Sequence, residues 1–441
     1  MNIIASSILV GLSIIAIIVL TSKFKLNAFI ALFLVSLFLA FSALPAKGIV
    51  SVLKEGFGGT MASIGFLIIL GAIIGIALDK SGGALSIAKY ILSKTGEKRS
   101  AAALGITGFI TGLPIFCDSG FIILSGLGRS LSAKSGLSRP FIAAVLATSL
   151  YSVHCLIPPH PGALAAAGIM DANIGNLIVM GIIFAVPGAL AAFFWSKRMS
   201  KPNDSAVSSN EEIFADYGEL PSVFRSFLPI VAPLLLITLR SFFTMNAAAD
   251  RGLIEEIIII AGEPVFALSI GVALALTLII NKRKTSINDI FKESIEKAGP
   301  ILIITAAGGM FGAVIKATGT GETLGKALSE ANMGILAPFI IAVIMKTAQG
   351  SSTVAIITAA SFVAPMLPAL GLDSESGRLF SMLAMGAGSM VVSHANDSYF
   401  WVISNFSEIA PKDTLKVYST STIVMGTVIF ALVWVTSIFV L

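Results

Sequence analysis

Long apolar runs dominate this chain and constrain its fold more than any other feature. Runs of spanning length lie near residues 3–20, 26–43, 59–79, 139–157, 174–195, 225–244, 262–280, 298–316, 333–348, 378–394 and 418–440. About 20 apolar residues suffice for a helix to cross a bilayer. Only 12% of the residues are charged, whereas a soluble domain is typically about 25% charged. We therefore predict an all-α, multi-pass membrane protein surrounded by lipid.

Three further apolar stretches, near residues 101–128, 161–170 and 352–370, are broken by Gly, Pro and polar residues. Lipid cannot satisfy the backbone groups that a break exposes, so such breaks persist only against protein or a water-filled cavity. Together with the uninterrupted runs, they predict a helix bundle of about 12–14 membrane elements, including broken helices and re-entrant hairpins.

One long hydrophilic stretch, from Ser200 to Leu220, divides the chain. Its composition predicts a flexible surface linker. We accordingly predict an N-terminal membrane half (residues 1–199), a cytoplasmic linker (200–222) and a C-terminal membrane half (223–441).

Basic residues concentrate in three places, namely residues 80–99, 197–201 and 282–297, whereas the loop at residues 250–256 is acidic. The positive-inside rule places the basic loops in the cytoplasm and the acidic loop and the N-terminus outside. Because these charges flank apolar runs in short loops, they do not form a nucleic-acid-binding face.

An internal repeat relates the two halves. Leu53-Lys54-Glu55 precedes the apolar run 67–72, and Phe291-Lys292-Glu293 precedes the run 302–307. The loop charges place the two entering segments on opposite sides, so we predict inverted repeats, a common plan of secondary transporters. Chance similarity between apolar helices is the alternative interpretation.

Four polar, helix-breaking stretches lie at membrane depth: residues 112–121, 154–162, 346–353 and 393–398. Helix N-termini at such breaks direct partial positive charge towards an anion. Ser, Thr, Asn and Gln side chains add hydrogen bonds suited to hydroxyl and carboxylate groups. Paired interruptions in both halves therefore predict a transport site between them.

Ionisable residues in these stretches suggest specific roles, because a charge inside a membrane costs at least about 2.5 kcal/mol on insertion scales. Lys346 is the candidate partner of a substrate carboxylate; alternatively, it extends to an interface. Asp118 is the first candidate for a coupling proton, since burial favours a neutral carboxyl group; alternatively, it caps a helix. His154 is the second candidate.

The remaining polar residues have weaker predictions. His394, like His154, either titrates or serves as a neutral hydrogen-bonded strut. Asp397 with Asn396 either caps a half-helix or holds a cation. His160 is predicted to support a turn between prolines.

The predicted site combines these residues. Proton coupling is assigned to Asp118 and His154. Substrate binding is assigned to Ser119, Lys346, Gln349, Gly350, Ser351, Ser352, Thr353, His394 and Asn396. Neither Cys117 nor Cys155 belongs to a CxxC pair, so we predict no metal site and no cofactor.

Three of these motifs resemble the GntP family of bacterial gluconate-type permeases. They are HCLIPPHPGA from His154, AQGSSTVA from Ala348 and GAGSMVVSHAND from Gly386. The resemblance runs over nearly the whole chain and implies proton-coupled uptake of sugar acids or related hydroxy or amino acids, such as gluconate, glycerate or D-serine. The segment around Asp118 differs from the corresponding segment that the resemblance implies for gluconate carriers, which has a longer acidic side chain at this position. Resemblance to the wider superfamily implies an elevator mechanism, in which a transport domain moves against a fixed scaffold. Because that scaffold is often dimeric, the resemblance also implies a candidate homodimer.

The function predicted from these features is secondary active transport of a small organic acid, coupled to protons, across the bacterial inner membrane. Sodium coupling through Asn396, Asp397 and freed carbonyl groups is the alternative within transport, and a passive channel is the third. An enzyme is disfavoured because the chain contains neither HExxH nor GxSxG.

Overall fold

The computed structural model describes residues 3–95, 99–200, 219–245, 252–280 and 286–441, and these residues form helices and no strands. The first part of the chain forms α1 (Ile3–Ser22), α2 (Ala28–Ala43), α3 (Ile49–Ser81), α4 (Gly83–Thr95), α5 (Ser100–Gly112), α6 (Cys117–Ser135), α7 (Arg139–Leu156), α8 (Pro161–Met170) and α9 (Ile174–Met199).

The second part begins after the predicted linker. It forms α10 (Val223–Met245), α11 (Leu253–Ala261), α12 (Pro264–Thr277), α13 (Ile287–Thr318), α14 (Thr320–Glu330), α15 (Leu336–Gln349), α16 (Ser352–Val363), α17 (Leu367–Leu370), α18 (Glu375–Met390), α19 (Ser398–Phe406), α20 (Pro411–Thr414) and α21 (Thr420–Val440). A 3₁₀ turn at Ala364–Met366 precedes α17, and a π-helical turn at Leu415–Ser419 precedes α21.

Every predicted apolar run lies on a helix, so the prediction of an all-α membrane protein is confirmed. Among the described residues, seven helical segments are long and apolar enough to cross a membrane, and the bent pair α11–α12 would make an eighth. Large apolar side chains such as Phe41, Phe194 and Phe439 are exposed on the outer helices. Such a surface is suited to lipid.

The four predicted breaks are also present. They separate α5 from α6, α7 from α8, α15 from α16, and α18 from α19. Pro114 and the Pro158–Pro159 pair occupy the first two breaks, where their missing N–H groups prevent an uninterrupted helix. Gly350 ends α15 with a φ of +84°, a conformation that favours glycine.

The order of elements after α3 matches the order after α13. Each series begins with a long helix, of 33 residues in α3 and 32 in α13. Each continues through two short helices to a first break, and later reaches a second break before the final long helix. This order agrees with the predicted repeat, while the opposite topology of the repeats remains a prediction.

The two long helices pack closely against each other. A Cβ atom at Gly309 of α13 would lie 1.8 Å from Thr60 Oγ1 of α3, so a side chain there would prevent this approach. The centre of the bundle is α7, in which every residue is buried. Pro114, Pro158 and Gly350, in three of the breaks, are buried, as backbone at membrane depth requires.

Several predictions fall outside the described residues. They include most of the linker, residues 201–218, and parts of the loops used for orientation, namely Lys98, Asp250 and Lys282 to Lys284. The division into two halves and the orientation in the membrane remain predictions.

Candidate transport site

A cavity of about 350 Å³ lies where the four interrupted segments meet. Its walls come from both halves of the chain. They comprise Phe116, Cys117, Asp118, Ser119, Tyr151, His154, Lys297, Ile301, Ile304, Ser351, Ser352, Thr353, Val354, Ile357, Asp397, Ser398 and Tyr399. The structure thus brings Asp118, Ser119, His154 and the Ser351–Thr353 segment together, as the proposed site requires.

Three helix N-termini face this cavity. Phe116, Ser351 and Asp397 are the N-cap residues of α6, α16 and α19, and each lines the cavity together with the first residues of its helix. Because helix N-termini carry partial positive charge and free N–H groups, they favour a bound anion.

The start of α6 differs from the other two. Ser351 accepts a hydrogen bond from the Val354 amide, and Asp397 accepts one from the Tyr399 amide. Phe116 makes no side-chain cap hydrogen bond, so the first amides of α6 have no such partner. A buried helix end without a cap is a place where a ligand can satisfy the backbone.

Asp118 lies in the first turn of α6 and faces the cavity. Its Oδ1 atom is buried and has no hydrogen-bond partner within the described part of the chain. A buried, unpartnered carboxyl oxygen is costly unless the group is protonated or meets a ligand.

The histidines form a hydrogen-bonded chain with a defined direction. His160 Nε2 contacts the carbonyl oxygen of Gly112; a carbonyl only accepts, so this nitrogen carries the proton. In neutral His160, Nδ1 then accepts from His154 Nδ1, 3.3 Å away. In neutral His154, Nε2 in turn accepts from the Thr353 hydroxyl, 3.3 Å away.

This chain connects the cavity with the first break, because Thr353 lines the cavity and Gly112 ends α5. His160 is 3% exposed and holds His154 in one orientation. The prediction gave His160 only a role in the turn, and its position beside His154 could not be inferred from the local sequence.

Lys346 lies behind the cavity wall. Its side chain is 0% exposed and its Nζ donates to Asp397 Oδ2 at 2.6 Å and to the Gly350 carbonyl oxygen. Ser393 Oγ donates to the same Asp397 oxygen at 2.5 Å. Lys346 Nζ also lies 5.6 Å from the ring centroid of Tyr151, and both of these partners, Asp397 and Tyr151, line the cavity. The predicted contact of Lys346 with a substrate carboxylate remains a prediction.

Four other predicted residues also lie outside the cavity wall: Gln349, Gly350, His394 and Asn396. Asn396 donates through Nδ2 to the Thr347 carbonyl at 2.9 Å, and the His394 carbonyl accepts from the Asp397 amide at 2.8 Å. Gln349 Nε2 lies 3.9 Å from Met345 Sδ. Of these contacts, the one between Asn396 and Thr347 joins the two breaks of the second half.

Gly350 explains how closely those two breaks approach. A Cβ atom at this position would lie 2.1 Å from the Asn396 carbonyl oxygen. The first half has a similar contact, because a Cβ atom at Gly75 of α3 would lie 2.6 Å from the Pro114 carbonyl oxygen. In each half, a glycine therefore allows a broken segment to pack directly against the backbone of another segment.

Lys297 is a charged cavity residue that sequence reasoning missed. It was grouped with a basic loop, but it lies almost three turns into α13 and faces the cavity. Its Nζ donates to Ser119 Oγ at 3.2 Å and pairs with Glu293 Oε1 at 3.2 Å. The match of Phe291-Lys292-Glu293 with Leu53-Lys54-Glu55 was a signal that a helix already begins before Lys297.

A second cavity, of about 540 Å³, lies further along α13. Gly309, Gly312 and Lys316 of α13 line it, together with residues 55–63 of α3 and residues 168–171 at the end of α8. The first cavity instead contacts Lys297 to Ile304 of α13. The two cavities therefore contact successive parts of this helix, its middle and its C-terminal part.

The described residues contain no group of three or more His, Cys, Asp or Glu side chains placed to hold a metal ion. The donors around the cavity are instead hydroxyl groups, backbone amides and Lys297, which suit an organic anion.

Comparison with known proteins assigns the family. The model of the GntP family permeases matches residues 4–439. The chain belongs to this family. It is 32% identical to the inner membrane permease YgbN of Escherichia coli (strain K12), over 96% of both chains. It is a multi-pass protein of the bacterial inner membrane.

Two further relatives have names that state a substrate. A gluconate permease of Pseudomonas aeruginosa is 31% identical over 94% of both chains, and the D-serine transporter DsdX of Escherichia coli (strain K12) is 30% identical over 95% of both. Among solved structures, the YdaH transporter of Alcanivorax borkumensis superimposes with a TM-score of 0.67 at 14% identity, over 93% of this chain and 98% of YdaH. That likeness shows a shared fold.

Proposed function

We propose that this permease is a secondary active symporter that carries a small organic acid together with protons. The observation that supports this most strongly is the convergence of three helix N-termini and four interrupted segments on one cavity. Such a site offers an anion many weak donors and no covalent chemistry, which suits reversible binding during transport.

The substrate class follows from the donors. The cavity combines a lysine, uncapped helix amides and the hydroxyls of Ser119, Thr353 and Ser398. A carboxylate with nearby hydroxyl or amino groups would satisfy both kinds of donor. The names of the related gluconate permease and D-serine transporter agree with this class.

Proton coupling is assigned to Asp118. Its carboxyl group faces the same cavity as the anion would, beside the start of α6. An ionised Asp118 would repel a substrate carboxylate, and a protonated one would not. Each ligand therefore favours binding of the other, which is the linkage that symport needs.

Sodium coupling through Asp397 is less favoured. Asp397 Oδ2 is occupied by Lys346 and Ser393, and Oδ1 accepts from the Tyr399 amide. A sodium ion would have to displace these donors, because a cation requires free oxygen ligands.

Alternating access is proposed to use the two cavities in turn. Residues 55–63 of α3, which line the second cavity, correspond in the repeat to residues 293–301 of α13, which include cavity residues Lys297 and Ile301. Inverted repeats exchange such positions when access changes sides. The interrupted segments would be the moving part, as in an elevator.

Uptake into proteoliposomes tests this function. The purified permease would be given radiolabelled gluconate, glycerate, D-serine and succinate, with an inward proton gradient, an inward sodium gradient or neither. We expect accumulation of at least one hydroxy or amino acid that requires the proton gradient and is unchanged by replacing sodium. Equilibration without accumulation would support a passive channel, and dependence on sodium would support the alternative coupling.

A further inference from the structure

A chain of partly exposed ion pairs leads into the cavity. Glu293 Oε2 pairs with Lys80 at 2.9 Å, and Glu293 Oε1 pairs with Lys297 at 3.2 Å. Lys297 in turn donates to Ser119 at 3.2 Å.

We propose that Lys297 is the residue that binds the substrate carboxylate, and that Glu293 is its counterion in the empty site and is displaced by the substrate. This inference rests on the proposed transport of an organic acid.

The first argument concerns access. Among the described residues that line the cavity, Lys297 is the one Lys or Arg side chain. Its side chain is 36% exposed, whereas Lys346 is fully buried against Asp397. A carboxylate entering the cavity can therefore reach the Lys297 ammonium group without breaking the buried pair.

The second argument concerns position. Lys297 bonds to Ser119, the third residue of α6, and α6 begins without a side-chain cap. A carboxylate placed there can meet the ammonium group, the Ser119 hydroxyl and the uncapped start of the helix together. Hydrogen bonds between ionised partners are the strong ones in a site of this kind.

The third argument concerns the carboxylate that Lys297 now holds. Glu293 contacts two lysines, one through each oxygen, and its side chain is 29% exposed. When a substrate replaces it at Lys297, Glu293 keeps its pair with Lys80. The exchange therefore leaves no buried charge without a partner, which would otherwise be costly.

These contacts predict opposite effects for two neighbouring residues. Lys297→Gln removes the cation, so the site should lose its preference for an acid over the matching neutral amide. Glu293→Gln removes the competitor, so the acid should bind more tightly. A residue that only supports the fold would not produce a gain on one side of an ion pair and a loss on the other.

The experiment measures equilibrium binding to the purified full-length permease in nanodiscs. The probes are gluconate, glycerate and D-serine, each compared with its carboxamide. For the tightest acid, we expect the wild type to prefer acid over amide by roughly tenfold or more. Lys297→Gln should reduce that preference to less than about threefold, and Glu293→Gln should tighten acid binding roughly two- to fivefold.

Matched controls lie on the same helix. Lys292→Gln and Glu296→Gln make the same charge changes at exposed positions and should leave binding within about twofold. Unchanged preference in Lys297→Gln would overturn this inference while leaving transport of the acid intact. If Lys297→Gln does not fold, the test rests on Glu293→Gln alone. Acid binding to Glu293→Gln that is equal to or weaker than binding to the wild type then overturns the proposal. If the wild type binds no acid probe, the proposed function fails as well.

Discussion

Lys346 and Asp397 form a fully buried ion pair, with 2.6 Å between Nζ and Oδ2, that joins the two interrupted segments of the second half. Asp397 also caps α19 and lines the cavity. The lysine thus fixes the carboxylate that positions one of the three helix N-termini. We propose that Lys346 positions the site rather than contacting the solute.

The first prediction separates these two roles of Lys346. Lys346→Met alone should lower the thermal unfolding temperature and abolish uptake, because removing one partner of a buried pair typically costs about 3–5 kcal/mol. The double variant Lys346→Met, Asp397→Asn removes both charges and retains a capping side chain. We expect it to recover most of the stability and a measurable part of uptake.

The measurements are thermal unfolding in detergent and initial uptake rates at equal amounts of membrane protein. A stable double variant with no uptake and no substrate binding would contradict this positioning role and show that the charges of the pair are themselves needed to bind the solute.

The second prediction concerns Asp118. Asp118→Asn keeps the shape of the side chain but stays neutral at every pH, so it mimics the protonated state. We expect loss of proton-driven accumulation with retained exchange of labelled for unlabelled substrate. Parallel measurements of accumulation and counterflow across a range of external pH would check this.

Glu296→Gln provides the control, since it removes an exposed carboxylate of α13. It should preserve both activities. Wild-type dependence on the proton gradient in Asp118→Asn would remove Asp118 as the coupling residue and direct attention to His154.

Much of the fold could be predicted from the local sequence. The spans follow from apolar runs, and the breaks follow from residues such as Pro114 and Gly350, because both effects act within a few positions of the chain. The stretches that meet at the cavity were likewise visible as polar residues at membrane depth.

The ion pairing inside the site could not be predicted in this way. Lys346 and Asp397 are 51 positions apart, and no local pattern distinguishes a buried pair from a lysine that faces a solute. Lys297 was missed for a different reason. It lies just before the apolar run at 298–316, so its charge resembles that of a cytoplasmic loop, although α13 has already begun.

The third prediction concerns the histidine chain. Thr353→Val preserves the shape of the side chain but leaves His154 Nε2 without its donor. Because an unsatisfied buried polar atom costs about 1–3 kcal/mol, uptake should fall roughly tenfold, and Thr353→Ser should restore it. Initial uptake rates at saturating and subsaturating substrate would measure the effect.

Thr358→Val is the matched control. Thr358 lies on the same helix, and its hydroxyl is buried with no hydrogen-bond partner among the described residues. Its replacement should leave uptake unchanged. Equal effects of the two substitutions would mean that the hydroxyl of Thr353 has no specific part in transport.

The fourth prediction concerns the contact between the two breaks of the second half. At Gly350, φ is +84° and a Cβ atom would lie 2.1 Å from the Asn396 carbonyl oxygen. Gly350→Ala therefore combines backbone strain with a steric clash and should abolish uptake and markedly lower the unfolding temperature. At Gly371, φ is +70° and a Cβ atom would meet nothing within 4 Å.

Gly371→Ala thus imposes the strain of a left-handed conformation, about 1–2 kcal/mol, without the clash. It should reduce stability slightly and retain transport. The difference between the two variants isolates the contribution of the close approach at Gly350. Equal stability and equal uptake in both would mean that the segments at Gly350 and Asn396 separate readily, and that the cavity does not depend on their contact.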